Sequence, residues 1–199
     1  MSKWWLLLAL AIGGTACSGD SLSPRSLDQP VLLITADGVP ALANPVVKFW
    51  AYSDRESRAQ VVYHAVLGSS DSVTLVDFTV PAHSLSKLPD GSTIGASDSV
   101  LISISVTNPL LLDVRFEPSG LQFSESNPAK LRMGFGNADP DYNQDGVVDA
   151  ADTALVPQLH IWRQEGLLDP WVELPGTVDL QRLEVAADIS GFTHYAVAF

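Results

Sequence analysis

Short segments in which apolar and polar residues alternate recur after residue 30, and they constrain the fold more than any other feature of the sequence. The clearest is VLISISV, residues 100–106. Successive side chains of a strand point to opposite faces, so one face of this segment is apolar. Turn-forming triplets such as Pro89-Asp90-Gly91 separate the segments. Short strands at this spacing predict an all-β fold, an antiparallel β-sandwich.

The alternating segments divide the chain into two stretches. Residues 72–199 hold most of them and are predicted to form a β-sandwich that carries an acidic loop at residues 139–156. Residues 31–71 contain further strands, which either complete this sandwich or form a small extra sheet. The sequence has no long amphipathic pattern, so the predicted helix content is one short helical turn after the acidic loop.

The acidic loop contains the segment DYNQDGVVDAAD, residues 141–152, whose oxygen-bearing residues follow the order of an EF-hand loop. Counted from Asp141, Gly146 takes the sixth position, where such a loop turns sharply. Calcium is a hard cation that takes about six to eight oxygen ligands, so alternating carboxylate and amide oxygens suit it. The predicted ligands are the side chains of Asp141, Asn143, Asp145, Asp149 and Asp152 and the backbone carbonyl of Val147.

This loop departs from a calmodulin-type hand at its twelfth position. Asp152 stands there instead of glutamate, and the segment is more similar to the calcium loop of a bacterial dockerin repeat. Only one such loop is present, and Pro157 limits the following helix to barely two turns. We expect a weak site, with a dissociation constant on the order of 0.1–1 mM, and Val148 packed inward beneath the loop. The alternative is an acidic surface turn without an ion.

The N-terminal segment MSKWWLLLALAIGGTAC has the order of an export signal. Lys3 precedes an apolar run that is too short to span a bilayer in the usual way. The residues GTAC resemble a bacterial lipobox, although Gly14 stands where leucine is usual. The resemblance implies a signal peptide at residues 1–16 and lipidation of Cys17. An ordinary signal peptide that happens to contain a cysteine is the alternative.

Residues 17–30 are polar and rich in serine and proline, a composition that cannot bury enough apolar surface to fold. We predict that they form a flexible tether behind the lipid-bearing cysteine. The expected location is the bacterial cell envelope, with the protein held by its lipid anchor and facing outside the cytoplasm. Ser18, directly after the cysteine, implies the outer membrane where the cell has one.

The chain is acidic, with a formal net charge of −12 from 23 acidic and 11 basic residues. Nucleic-acid binding requires clustered lysine and arginine, and attraction to anionic lipid also requires basic residues. The composition therefore disfavours both. We expect no nucleic-acid partner, and contact with the membrane through the lipid anchor only.

Three segments carry proline, glycine and aromatic residues in the order of one known family. They are FTVPAHSL at 78–85, VRFEPSGLQFSESNPAKLRMGFG at 114–136, and residues 159–199, which end in FTHYAVAF. Together they resemble the ZU-five domain, a β-sandwich module shared with ankyrins, zonula occludens proteins and netrin receptors. The resemblance covers residues 72–199. It implies a structural or protein-binding role, with an unknown envelope or extracellular protein as partner.

Some ZU-five relatives cleave their own backbone at a His-Phe-Ser sequence, where the serine hydroxyl attacks the preceding carbonyl and histidine helps to activate it. The matching residues here are Gly191, Phe192 and Thr193, so the base is replaced by glycine. His194 is predicted to point to the opposite face of its strand. The resemblance therefore implies a protein without this activity.

Two other functions stay open. Trp50, Trp162 and Trp171 could line a platform for a carbohydrate or surface polymer. Their exposure on one face would favour that reading, and their burial would count against it. A hydrolase with an unrecognised site is the third possibility. The sequence has no nucleophile elbow, and its four histidines are scattered without metal-ligand spacing, so we expect no catalytic residues.

Overall fold

The computed structural model describes residues 29–65 and 72–199, and within them the secondary structure is mainly β-strand. The strands, in chain order, are β1 (Val46–Tyr52), β2 (Ser57–Val62), β3 (Thr74–Val80), β4 (Leu85–Lys87), β5 (Ser99–Ser105), β6 (Asp113–Glu117), β7 (Gln122–Phe123), β8 (Ala129–Gly134), β9 (His160–Gln164), β10 (Val172–Glu173), β11 (Gly176–Asp179), β12 (Glu184–Ile189) and β13 (His194–Ala198). The helix α1 spans Ala150–Leu155 and continues into a 3-10 turn at Val156–Gln158.

Two antiparallel sheets form the body of the described part of the chain. One has six strands in the order β1-β5-β6-β13-β9-β10, and the other has five strands in the order β11-β12-β8-β3-β2. Strands β4 and β7 pair in a small third sheet. The predicted all-β fold with antiparallel packed sheets is confirmed, and the described residues contain one short α-helix, which begins within the acidic loop rather than after it.

The core between the two sheets is centred on the ring of Phe78 in β3. Its centroid lies 5.0 Å from that of Phe116, 5.5 Å from that of Phe192 and 6.2 Å from that of Phe123. Edge-to-face and tilted contacts of this kind are favoured because the positive ring edge meets the negative ring face. Phe116 and Phe123 flank the turn at residues 118–120, so that tight turn brings two aromatic side chains into one core.

The first strands of the chain belong to both main sheets. β1 pairs with β5 in the six-stranded sheet, and β2 pairs with β3 in the five-stranded sheet. Leu33, Ala51 and Val61 are buried in the same core cluster as the strands after residue 72. Of the two arrangements that the sequence left open, β1 and β2 adopt the one in which they complete the sandwich.

The sandwich has two ends, which differ in what they carry. We call the end that holds the first described residues the near end, and the opposite one the far end. At the near end, Leu32 forms an isolated β-bridge with Ala198, and the backbone N–H of Asp139 donates to the carbonyl of Ile34 at 2.8 Å. The acidic loop therefore lies at this end, beside the segment that leads back to the N-terminus. The far end carries the turns at residues 53–56 and 165–171, because β1 and β9 both finish there.

The predicted signal peptide, Cys17 and residues 17–28 of the predicted tether lie outside the described residues. In residues 29–65 and 72–199, no helix has the length and apolar character needed to cross a bilayer.

Candidate functional site

The acidic loop is organised by its own carboxylates, which accept hydrogen bonds from the backbone of the turn they enclose. Asp141 accepts from the N–H groups of Asp145 at 3.1 Å and of Gly146 at 2.7 Å. Gly146 has a φ of +89°, which a residue with a Cβ atom rarely adopts. Glycine at this position therefore allows the chain to fold back over the Asp141 carboxylate.

Asn143 and Asp145 continue the pattern. The side-chain oxygen of Asn143 accepts from the N–H of Asp145 at 2.9 Å, and Asp145 accepts from the N–H of Val147 at 2.9 Å. The Asn143 amide also donates to the second Asp145 oxygen at 2.9 Å. These contacts bring three of the predicted ligand side chains into one compact turn.

Asp152 closes the loop from the first turn of α1. It is almost fully buried, with 2% of its surface exposed, and it accepts from the N–H of Asn143 at 3.1 Å and of Asp149 at 2.8 Å. Asp149 is the N-cap of the helix and forms a capping box with Asp152. The two donors, first Asp149 and then Asn143, hold the pKa of Asp152 below its ordinary value, because they stabilise its charged form.

The predicted calcium ligands fit the ion in chemistry. The side chains are carboxylates and an amide, and a carboxylate bound to one N–H keeps further lone pairs. Residues 139–156 contain no lysine or arginine that would neutralise the five aspartates. Within the described residues, however, no three His, Cys, Asp or Glu side chains converge as a metal-binding group. The calcium site therefore stays a prediction.

The expected inward packing of Val148 is wrong. Its side chain is 61% exposed, and that of Val147 is 59% exposed. The apolar residue beneath the loop is instead Tyr142, which is partly buried and packs against the core. The loop is also tied to the N-terminal segment, because the Gln144 side chain donates to the carbonyl of Leu32 at 3.0 Å.

A second cluster of polar side chains lies on the outer face of the six-stranded sheet and was not predicted from the sequence. Nε2 of His194 lies 3.0 Å from Oδ2 of Asp113, and Thr107 donates to the same carboxylate at 3.2 Å. Nδ1 of His194 lies 3.4 Å from the side-chain oxygen of Gln164. Both ring nitrogens thus face oxygen acceptors, and neither faces a hydroxyl that it could activate as a nucleophile.

A cleft of about 200 Å³ opens over this cluster on the outer face of the six-stranded sheet. We call it the His194 cleft; the lining residues used below are Thr107, Arg115, Gln164, Glu165, Leu167 and His194. One wall is the turn at residues 165–171, which Gln164 holds by donating to the carbonyl of Asp169 at 2.9 Å. Trp171, at the end of that turn, packs on His194 with ring centroids 5.1 Å apart.

Thr193, the residue aligned with the nucleophile of self-cleaving relatives, is buried. Its hydroxyl contacts the carbonyl oxygens of Gln164 and Glu165, the latter at 2.9 Å. His194 faces the outer side of the sheet, where it meets Asp113, while the neighbouring Tyr195 is fully buried in the core.

The three tryptophans that could line a sugar platform are unequally exposed. Trp50 is 52% exposed on β1, while Trp162 and Trp171 are only partly exposed. All three belong to the six-stranded sheet or its margin, but four strand positions separate β1 from β9. At about 4.8 Å per strand, the separation of Trp50 and Trp162 across the sheet is roughly 19 Å, so they do not form one continuous platform.

Comparisons of the chain with family models, with curated proteins and with solved structures found no significant match. The resemblances to the ZU-five domain, to the dockerin loop and to the lipobox stay predictions.

Proposed function

We propose that the chain is a non-enzymatic lipoprotein of the bacterial cell envelope whose β-sandwich makes a structural or binding contact with another protein outside the cytoplasm. The proposal combines the signal-like N-terminus, Cys17, the polar tether and the resemblance to a protein-binding family. The observation that carries it is an exposed aromatic patch on the six-stranded sheet.

This patch, the Trp50 patch, consists of Trp50, Tyr52, Arg55 and Leu101. Trp50 and Leu101 are cross-strand partners, and they are 52% and 46% exposed. The Arg55 guanidinium lies 3.5 Å from the centre of the Tyr52 ring, within cation–π distance. Tryptophan, tyrosine and arginine supply most binding hot spots in protein interfaces, because they bury large surfaces around a polar tip.

The position of the patch also suits a contact made away from an anchor. The described chain begins at the near end, where Leu32 bridges Ala198. Trp50 and Tyr52 lie in the half of β1 that runs to the far end. A protein tethered through its N-terminus would therefore present the Trp50 patch away from the side on which the tether leaves.

We further propose that one calcium ion binds the acidic loop and stabilises it. The support is the preformed turn around Asp141, the uncompensated charge of the aspartates and the oxygen chemistry of the predicted ligands. When bound, the ion would neutralise negative charge and fix the loop beside the N-terminal segment.

Carbohydrate or surface-polymer binding is the second candidate. The favouring observation is Trp171 on His194, beside side chains that can donate and accept hydrogen bonds. The Trp50 patch suits a sugar less well, since Trp50 is paired with the apolar side chain of Leu101. Its composition suits an apolar protein contact better.

The protein contact is tested by placing a photo-crosslinking amino acid at Leu101 in the chain expressed in its own cells. Leu180, which is 58% exposed in a turn at the near end, is the matched control position. We expect a defined adduct from position 101 and none from position 180. The identified partner, once purified, should lose affinity for Trp50→Ala and keep it for Leu180→Ser. Equal crosslinking at both positions, or equal binding to both variants, would contradict the proposal.

A further inference from the structure

The His194 cleft is built on one row of the six-stranded sheet. Arg115 of β6, His194 of β13 and Gln164 of β9 are successive cross-strand partners, so their side chains stand next to one another on the outer face. The floor of the cleft is therefore part of the rigid sheet, and only the wall at residues 165–171 is a turn.

The charges around this cleft are paired. His194 contacts Asp113 at 3.0 Å, Arg115 donates to Glu117 at 2.8 Å, and Arg163 contacts Glu165 at 3.1 Å. The N–H of Ser119 and the Arg115 guanidinium hold the pKa of Glu117 below its ordinary value, so this partner is charged at neutral pH. Each arginine beside the cleft thus has a carboxylate partner, so the cleft has no unpaired cation and favours a neutral ligand over an anion.

Both hydrogen-bond donors and acceptors line the cleft. The terminal nitrogens of Arg115 make no hydrogen bond to any residue that the structure describes, whereas the Glu165 carboxylate and the Thr107 hydroxyl have lone pairs left to accept. Hydroxyl groups donate and accept at once, so a ligand with several neighbouring hydroxyls would match this set.

The turn that forms one wall of the cleft contributes an apolar side chain. Leu167 lines the cleft and is 78% exposed, and Trp171, at the end of the same turn, contacts His194 with its ring tilted by 47°. A pyranose ring presents a face of C–H groups that packs on such side chains, while its hydroxyls point to the rim. The cleft thus combines one apolar contact with several polar side chains, which suits a ligand that has both C–H faces and hydroxyls.

We propose that the His194 cleft binds one ring of a neutral saccharide. At about 200 Å³ it is smaller than the pockets of drug-sized ligands, which begin at about 300 Å³. It therefore takes a single sugar unit, free or at the end or branch of a surface polysaccharide. This inference rests on the second candidate function, carbohydrate binding, and the site is separate from the Trp50 patch.

The test is calorimetric titration of the full chain with glucose, galactose, mannose and N-acetylglucosamine, with glucuronic acid as a charged comparison. We expect at least one neutral sugar to bind. Leu167→Ser should weaken that binding about tenfold by removing apolar contact. Leu168→Ser is the matched control, because Leu168 is fully exposed in the same turn and does not line the cleft. It should leave affinity unchanged.

Arg115→Gln removes the positive charge but keeps a donor, so a neutral sugar should lose no more than about fivefold in affinity, the worth of one neutral hydrogen bond. Binding of none of the neutral sugars overturns the proposal. An equal loss of sugar affinity in Leu167→Ser and Leu168→Ser also overturns it. The same holds if glucuronic acid is the one ligand that binds and Arg115→Gln abolishes its binding. Titration with a soluble polymer of the bound sugar distinguishes the two sources of the ligand. Binding of the polymer indicates the end or branch of a polysaccharide, whereas binding of the monosaccharide alone indicates a free sugar.

Trp50→Ala should leave all sugar binding intact, which separates this site from the proposed protein contact.

Discussion

His194 and Asp113 are 81 positions apart in the chain, yet Nε2 of the histidine lies 3.0 Å from Oδ2 of the aspartate. The carboxylate is 5% exposed and also accepts from Thr107. Asp113, on β6, therefore connects His194 on β13 with Thr107 in the segment before β6. These two strands form part of the floor of the His194 cleft.

Replacing this aspartate should destabilise the protein. Asp113→Ala removes a buried carboxylate that accepts from the partly buried His194 ring and from the exposed Thr107 hydroxyl. Hydrogen bonds to a charged group are worth more than neutral ones, so we expect a loss of about 1–3 kcal/mol in the free energy of unfolding, measured by urea denaturation. Asp188→Ala is the control, because the Asp188–Lys130 pair is exposed and worth less than about 1 kcal/mol. A similar loss of unfolding free energy in both variants would mean that the His194–Asp113 contact stabilises the protein no more than an exposed ion pair does.

Acid should loosen the acidic loop through Asp152. Its folded-state pKa lies below that of the unfolded chain, so its contribution to stability is fully present above the unfolded value of about 4 and is lost as the pH falls through the folded value. Asp152→Asn should lower the thermal midpoint at neutral pH, and the gap to the wild type should narrow below about pH 4. A difference in thermal midpoint that stays constant as the pH falls below about 4 would contradict this role of Asp152. Asp188→Asn is the control substitution at an exposed aspartate.

Calcium should raise the thermal midpoint of the protein. At about 5–10 mM, roughly tenfold above the expected dissociation constant, linkage gives a stabilisation of roughly 1–1.5 kcal/mol relative to chelator. Asp141→Ala and Asp145→Ala should each abolish the shift, because both remove predicted ligands from the turn. Sodium chloride at equal ionic strength controls for screening of the acidic surface. An unchanged midpoint, with no heat of calcium binding, would reduce the loop to an acidic turn.

A chain that starts at residue 72 should not fold. It lacks β1 and β2, which form an edge of each main sheet, and it lacks Leu33, Ala51 and Val61 from the core. We expect a circular dichroism spectrum without cooperative thermal unfolding, because the exposed core of both sheets would be left in water. A chain starting at residue 29 is the control and should unfold cooperatively. A folded 72–199 fragment would show that the first strands are an addition to a self-sufficient domain.

The order of carboxylates in the acidic loop was visible in the sequence because hydrogen bonds within a tight turn join residues two to five positions apart. The hydrogen bonds of Asp141, Gly146 and Asp152 are made to residues of the same short segment, so the order of residues in the sequence predicted the turn that they share. The position of Val148 was missed, since whether a loop side chain is covered depends on what the rest of the chain packs beneath it. Tyr142, and not Val148, packs against the core.

The alternation of apolar and polar residues by itself determined the all-β class and the position of strands such as β5, because the period of a strand is a local property. Ile102 and Ile104 belong to the apolar face of VLISISV, and both are completely buried. The pairing of strands was decided only by the tertiary structure. It placed β13 between β6 and β9, and so brought Arg115, His194 and Gln164 into one row, with Asp113 two residues before Arg115 on β6. No local pattern encodes that row, because the contacts that select it come from burying two whole sheets against each other.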